Sequence, residues 1–190
     1  MIPSNIRDYV KVYENVFDKD FCTSTIKELK KIEWKKHYFY QYKGNRNRSY
    51  ENEFDMGYLD SVIKTTLQNK LWYVIEKYIT KDFKMCNSWW GGWTGYTEVR
   101  FNKYDLETKM KIHCDHIQSI FDGSLKGIPT LSIVGCLNED YKGGDFIMWE
   151  TEKIKIPEGA VLMFPSNFMY PHKVTPIIEG TRYSYVSWVY

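Results

Sequence analysis

Residues 172–190 read HKVTPIIEGTRYSYVSWVY. β-branched and aromatic residues dominate both halves, and the Glu179-Gly180 break divides the stretch into two strands, 172–177 and 181–190. The same signature recurs upstream in TEVRFNKYD (97–105), KIHCDH (111–116), TLSIVGCL (130–137), GDFIMWE (144–150), EKIKI (152–156) and AVLMF (160–164). Each run is bounded by Gly, Pro, Asn or Asp. Such a series of short strands separated by turns predicts an antiparallel sandwich or jelly roll.

Upstream of residue 86 the pattern changes to a helical one. Asp18 can cap a helix through Phe21, Ile26, Leu29 and Ile32, whose spacing gathers them on one face. A second helix follows Gly57, with Leu59, Val62, Ile63, Leu67, Leu71, Val74, Ile75 and Tyr78 at helical intervals. The polar stretch between them, YQYKGNRNRSYENEF (40–54), reads as a loop. Helices first and strands afterwards predict an α+β protein with two N-terminal helices packed on one sheet. No repeat or linker interrupts the chain, so the expectation is one domain over 1–190, with 1–86 as helical support and 87–190 as the jelly-roll core.

Composition narrows the function classes. The 190 residues are 43% hydrophobic and 26% charged, which fits a globular chain and not a disordered one. No apolar run approaches the roughly 18 residues of a membrane span. The start, MIPSNIRDYVKVYENVFDKD, lacks an apolar leader, and Cys22, Cys86, Cys114 and Cys136 are scattered without a CxxC pair. Both features fit free thiols and a cytoplasmic location. A net charge of +2 argues against nucleic-acid binding by bulk charge. Residues 19–48 carry nine basic and three acidic side chains, most simply a solvated helix face. Aromatic residues reach 17%, with 16 Tyr and 7 Trp, enough for a bulky sheet core or a ring-lined pocket.

The chemistry concentrates in Lys111-Ile112-His113-Cys114-Asp115-His116. On a strand, residues two apart share a face, so His113 and Asp115 point together while Cys114 and His116 point away. An imidazole and a carboxylate converging from one strand make two thirds of a facial metal triad. Among the other histidines, His37 lies in the helical region and His116 faces away, which leaves His172. Two His and one carboxylate leave open positions on an octahedral metal, as in non-haem Fe(II) oxygenases. Ten residues on, Arg182, Ser184, Val186 and Trp188 share one strand face. A guanidinium and a hydroxyl two residues apart can clamp a carboxylate, and an arginine aimed into a pocket needs an anionic partner. A dicarboxylic cosubstrate such as 2-oxoglutarate supplies one.

These residues resemble the Fe(II)/2-oxoglutarate-dependent dioxygenases, specifically the prolyl 4-hydroxylase-like branch. The resemblance covers roughly residues 97–190. It rests on HxD at His113 and Asp115, the distal His172, and Arg182 followed by Ser184. Tyr104 stands nine residues before His113, where that branch places a tyrosine that reaches the cosubstrate. Leu137-Asn138, then Gly143-Gly144-Asp145-Phe146, Pro157-Glu158-Gly159-Ala160 and Trp188 follow in the same order. The resemblance implies a double-stranded β-helix, iron held by His113, Asp115 and His172, and 2-oxoglutarate held by Arg182, Tyr104 and Ser184. It further implies O2 as the second cosubstrate, with ascorbate as a supporting reductant. The implied reaction couples oxidative decarboxylation of 2-oxoglutarate to C–H hydroxylation, with a prolyl residue of a peptide as one substrate.

Two positions depart from the pattern. Glu107 replaces the usual Gly between the tyrosine and the HxD strand, and Ile128-Pro129-Thr130 stands where an arginine implicated in substrate handling is usual. Metal and cosubstrate residues are retained; substrate residues are not. Trp188 and the cluster Trp89, Trp90 and Trp93 are candidates for a substrate wall, and the partner is a peptide or small molecule. Two readings from other classes compete. A cupin-like metal-dependent isomerase or hydrolase would use the same ligands without needing Arg182, and a non-catalytic module would grip its ligand with aromatic loops.

Overall fold

The computed structural model describes residues 3–41, 46–84, 93–115 and 129–190. A seven-stranded antiparallel sheet carries, in order, Lys11–Tyr13, Val161–Pro165, Leu131–Cys136, Arg182–Val189, Arg100–Tyr104, Asp55–Gly57 and Lys35–Lys36. A second sheet has the order Glu152–Ile154, Phe146–Met148, His172–Val174, Met110–His113. All eight expected strands are present, and the two sheets face each other as a jelly roll.

Alternation on the larger sheet sorts its residues into two cores. Ile133, Val161, Met163, Phe101 and Tyr185 face outward and pack with Leu29, Leu67, Leu71 and Ile75 of the helices. Val134, Leu162, Phe164 and Tyr104 face inward and pack with Phe146, Met148 and Val174 of the smaller sheet. The helices, α1 (Lys19–Leu29) and α2 (Val62–Glu76), therefore cover the outer face and leave the space between the sheets to the site. Asp18 caps α1 as expected, its carboxylate accepting from Phe21 N at 2.8 Å. Among the described residues no helix is long and apolar enough to cross a membrane.

The first third is less helical than its sequence suggests. It supplies three short strands to the larger sheet, and the expected loop contains a hairpin pairing Phe39–Gln41 with Arg46–Arg48. These strands do not stand in longer β-rich runs bounded by turn residues, so tertiary pairing decides them.

Two backbone positions bear on the site. Gly144 has φ +63°, and a Cβ there would lie 3.1 Å from Arg182 Cδ and 2.6 Å from Ile177 Cδ1. Its missing side chain leaves the arginine its path into the interior. Glu107 has φ +66°, the left-handed conformation that favours glycine, so the unusual residue of the sequence pattern occupies a strained turn.

Candidate active site

The Met110–His113 and His172–Val174 strands lie side by side, with His113 directly opposite His172. Their rings are 4.3 Å apart between centroids. The strand ends at His113, and the chain then carries Asp115 back to the same place. Asp115 Oδ1 lies 3.3 Å from His113 Nε2 and 3.7 Å from His172 Nε2. One ligand atom from each of the three falls within 4.8 Å of the others, the spacing a single ion can bridge.

Each side chain is oriented by a neighbour. His113 Nδ1 lies 2.8 Å from Lys111 O and His172 Nδ1 lies 3.0 Å from Tyr170 O. A backbone carbonyl only accepts, so Nδ1 carries the proton on both rings and Nε2 presents its lone pair inward. The Ser132 hydroxyl donates to Asp115 Oδ2 at 2.7 Å and lies 2.5 Å from the Ser166 hydroxyl. That anchor leaves Oδ1 for the metal. Phe146 stacks on the His172 ring and Phe164 meets it edge-on, both with centroids at 5.1 Å.

The protonation states suit ligation. Burial alone would raise the Asp115 carboxyl, but His172, His113 and the Ser132 hydroxyl outweigh it and hold it well below the usual carboxylate range. Burial brings His172 down to about 4 against the pull of Asp115, so it is neutral near pH 7. One carboxylate and two imidazoles within reach of one ion fit a divalent cation such as iron.

Arg182 is 2% exposed and extends into the same cavity. Nη1 donates to Ser184 Oγ at 3.1 Å, and the Tyr104 ring lies 5.1 Å from Cζ. Among the described residues its Nε is buried without a partner and no carboxylate pairs with it. The Tyr141 hydroxyl also hydrogen-bonds with it. Burial pushes the Tyr104 hydroxyl up to about 12 despite Arg182 and Arg100, and raises Tyr141 as well, so both phenols stay protonated and can donate. A buried, uncompensated guanidinium among three hydroxyls is the environment a carboxylate requires.

The structure thus brings together His113, Asp115 and His172 with Arg182, Tyr104, Ser184 and Trp188 around one cavity. Trp93 is elsewhere. It packs on Trp72 at 4.4 Å and near Tyr96, on the helix-covered side of the larger sheet, because apolar burial against α2 outweighs any loop tendency of its glycine neighbours. Trp89, Trp90 and His116 lie outside the described residues. Cys114 turns from the cavity, its Sγ toward Phe168 O at 3.5 Å. Sequence reasoning missed Ser132, Ser166 and Tyr141. Ser132 had a usable signal, a single hydroxyl in the otherwise apolar run LSIVGCL (131–137), whereas nothing in the sequence sets Tyr141 apart.

Two antiparallel sheets closing over a His/Asp/His set, with a free guanidinium at the cavity's far end, define a jelly-roll protein of the non-haem iron oxygenase type. Comparison with known proteins agrees. The family model described as the 2OG-Fe(II) oxygenase superfamily matches residues 99–190. A PKHD-type hydroxylase of Shewanella baltica is 28% identical over 93 residues, 47% of this chain and 41% of the relative. One from Alteromonas mediterranea is 33% identical over 95 residues, with the same coverage. The chain therefore spans about two fifths of the length of the curated relatives it matches. Among solved structures, a prolyl hydroxylase from Trichoplax adhaerens, in complex with a hypoxia inducible factor peptide fragment, superposes with TM-score 0.70 at 18% identity, over 96% of this chain and 84% of that one. The viral collagen prolyl hydroxylase of Paramecium Bursaria Chlorella virus-1 superposes with TM-score 0.67 at 14% identity, over 95% and 94%. Residues 99–190 are thus similar to the 2OG-Fe(II) oxygenase superfamily, on a fold shared with prolyl hydroxylases. That similarity, with the His113/Asp115/His172 set, implies Fe(II), 2-oxoglutarate and O2.

Proposed function

We propose that this protein is an Fe(II)- and 2-oxoglutarate-dependent hydroxylase acting on a prolyl residue of a peptide or on a related small molecule. The observation that carries this reading is the pairing, in one cavity, of the His113/Asp115/His172 set with a buried Arg182 that lacks a carboxylate partner among the described residues. A metal isomerase or hydrolase has no use for that guanidinium. The names of the relatives, PKHD-type hydroxylases and prolyl hydroxylases, support the substrate class.

Iron with 2-oxoglutarate and O2 would supply the oxidative chemistry, decarboxylation to succinate coupled to insertion of oxygen into a C–H bond. The chain's own share is positioning and exclusion. His113 and His172 would present Nε2 to the metal because their Nδ1 protons are held by Lys111 O and Tyr170 O. Asp115 would contribute the charge, fixed by Ser132. Arg182, Ser184 and the Tyr104 hydroxyl would take the far carboxylate of the cosubstrate and so set the distance of its keto-acid end from the metal. Phe146, Phe164 and Val134 close the walls against water.

Incubation with Fe(II), O2, 2-oxoglutarate and a panel of proline-containing peptides tests the reading. Succinate release accompanied by a product 16 mass units heavier is the expected outcome. A protein that fails to bind 2-oxoglutarate in the presence of metal would overturn it.

A further inference from the structure

Arg182 shares the inner face of the larger sheet with a second guanidinium. Arg100, Asn102 and Tyr104 alternate to one side of their strand, and register places Tyr104 opposite Arg182, Asn102 opposite Ser184 and Arg100 opposite Val186. At about 3.3 Å per residue, the four-residue step separates Arg100 from Tyr104 by about 13 Å along the strand. Arg100 therefore stands at the opposite end of the cavity from the Arg182 cluster.

That end is the metal end. Ser132, which holds Asp115, pairs across the sheet with Trp188. The Arg100 guanidinium sits 5.2 Å from the Trp188 ring centroid and 5.8 Å from that of Phe54. The charge is thus held between two aromatic faces, at the level of the candidate ligands and lining the same cavity.

Its hydrogen bonding is only partly used. Nε donates to Asn102 Oδ1 at 3.2 Å. Among the described residues no carboxylate comes within ion-pair distance of Arg100, which leaves the Nη1/Nη2 fork uncommitted. Among the described residues, Trp188 Nε1 nearby is also buried without a partner. Burial disfavours the Arg100 charge, with Tyr58, Tyr104 and Asp115 acting to retain it. A residue whose task was only to pack between Phe54 and Trp188 would not need a charge; an uncharged chain would fill the gap at lower cost.

On the hydroxylase reading above, we propose that Arg100 recognises a carboxylate on the substrate, held beside the carbon to be oxidised, while Arg182 holds the carboxylate of the cosubstrate. One free guanidinium matches one carboxylate monoanion, which disfavours a phosphate dianion. The planar Nη fork accepts such a group in bidentate fashion. The carboxylate is either an acidic side chain flanking the target residue in a peptide or the α-carboxylate of a small imino acid.

Calorimetry on the full chain loaded with Mn(II) and 2-oxoglutarate, which does not turn over, separates these cases. The probes are N-acetyl-L-proline against N-acetyl-L-prolinamide, and blocked pentapeptides in which Asp or Asn flanks a central proline. In the unaltered protein the acidic member of at least one pair should bind about tenfold tighter, or more, which is about 1.4 kcal/mol. The pair that shows the preference identifies the source of the carboxylate. Arg100→Gln should reduce the preference to within about twofold, and Arg100→Lys should leave part of it, because the charge survives without the fork. Equal binding within each pair, no measurable binding by any probe, or a preference that survives Arg100→Gln would overturn the proposal. A prior titration of 2-oxoglutarate into the Mn(II)-loaded protein distinguishes the two levels. If that cosubstrate does not bind, the hydroxylase reading fails; if it binds and the acidic preference is missing, only the role of Arg100 fails.

Discussion

The two faces of the Arg182–Val189 strand do different work. Outward, Tyr183 and Tyr185 pack against the helical layer, with Tyr185 edge-on to Phe17 at 6.2 Å. Inward, Arg182, Ser184, Val186 and Trp188 line the cavity. The outer face is closed and mostly apolar. The inner face retains a buried cation, an unpaired guanidinium nitrogen and an unpaired indole N–H, each of which costs stability by itself. The Tyr185 hydroxyl on the outer face is likewise buried without a partner among the described residues, but it is neutral; the buried charge stands only on the inner face, and a spacing of one residue separates it from the packing groups.

Substitutions on the two faces should therefore separate affinity from stability. The largest effect is expected on the inner face. Arg182→Met removes a charge-assisted clamp of about 2–5 kcal/mol, so 2-oxoglutarate should bind about 30-fold more weakly or worse by calorimetry on the Mn(II)-loaded protein. The apo protein's melting temperature should hold or rise, since a buried charge without a partner has been replaced by an apolar chain of similar length. A loss of both would place Arg182 with the packing residues.

On the outer face, Gly135→Ala should show the converse. Its Cβ would fall 1.9 Å from Tyr185 Cζ, directly across the register, so the ring must move or the strands must part. Overpacking of this kind costs roughly 3 kcal/mol at its upper end, to be read by denaturant unfolding. Metal affinity of the folded fraction should be unchanged.

Ser132→Ala refines the inner side further. Among the described residues the hydroxyl hydrogen-bonds to Asp115 and Ser166, and loss of an outer-shell partner of a ligand typically lowers metal affinity about 10–100-fold. Mn(II) titration measures it. Unfolding free energy should move less than for Gly135→Ala. The smallest effect lies outside both faces. Glu107→Gly relieves a left-handed residue and should stabilise the fold by about 1 kcal/mol at most, with 2-oxoglutarate affinity unaltered.

Much of this division is legible in the amino-acid sequence. Strand parity separates Arg182, Ser184 and Trp188 from Tyr183 and Tyr185, and the structure keeps them apart. The eight core strands are legible because each has a run long enough to show β character and a turn residue at its ends. The strands Lys11–Tyr13, Lys35–Lys36 and Asp55–Gly57 are not, because pairing with the larger sheet, and not local preference, extends them. His113 and Asp115 do converge, but for a reason parity does not supply: the strand stops at His113 and the next two residues turn Asp115 toward the Ser132 hydroxyl. The sequence suggests Trp93 for the substrate wall, yet it packs on Trp72 of α2, because local glycine content says nothing about which apolar surface a neighbouring ring will find.

The claim that an anionic cosubstrate and a metal share one cavity is tested most directly by linkage between their affinities. Mn(II) titrated into the protein, with and without saturating 2-oxoglutarate, should bind about tenfold tighter or more when the cosubstrate is present, a coupling within the usual 1–3 kcal/mol range. The coupling should vanish in His172→Ala. Identical Mn(II) affinity with and without 2-oxoglutarate in the unaltered protein would contradict a shared site.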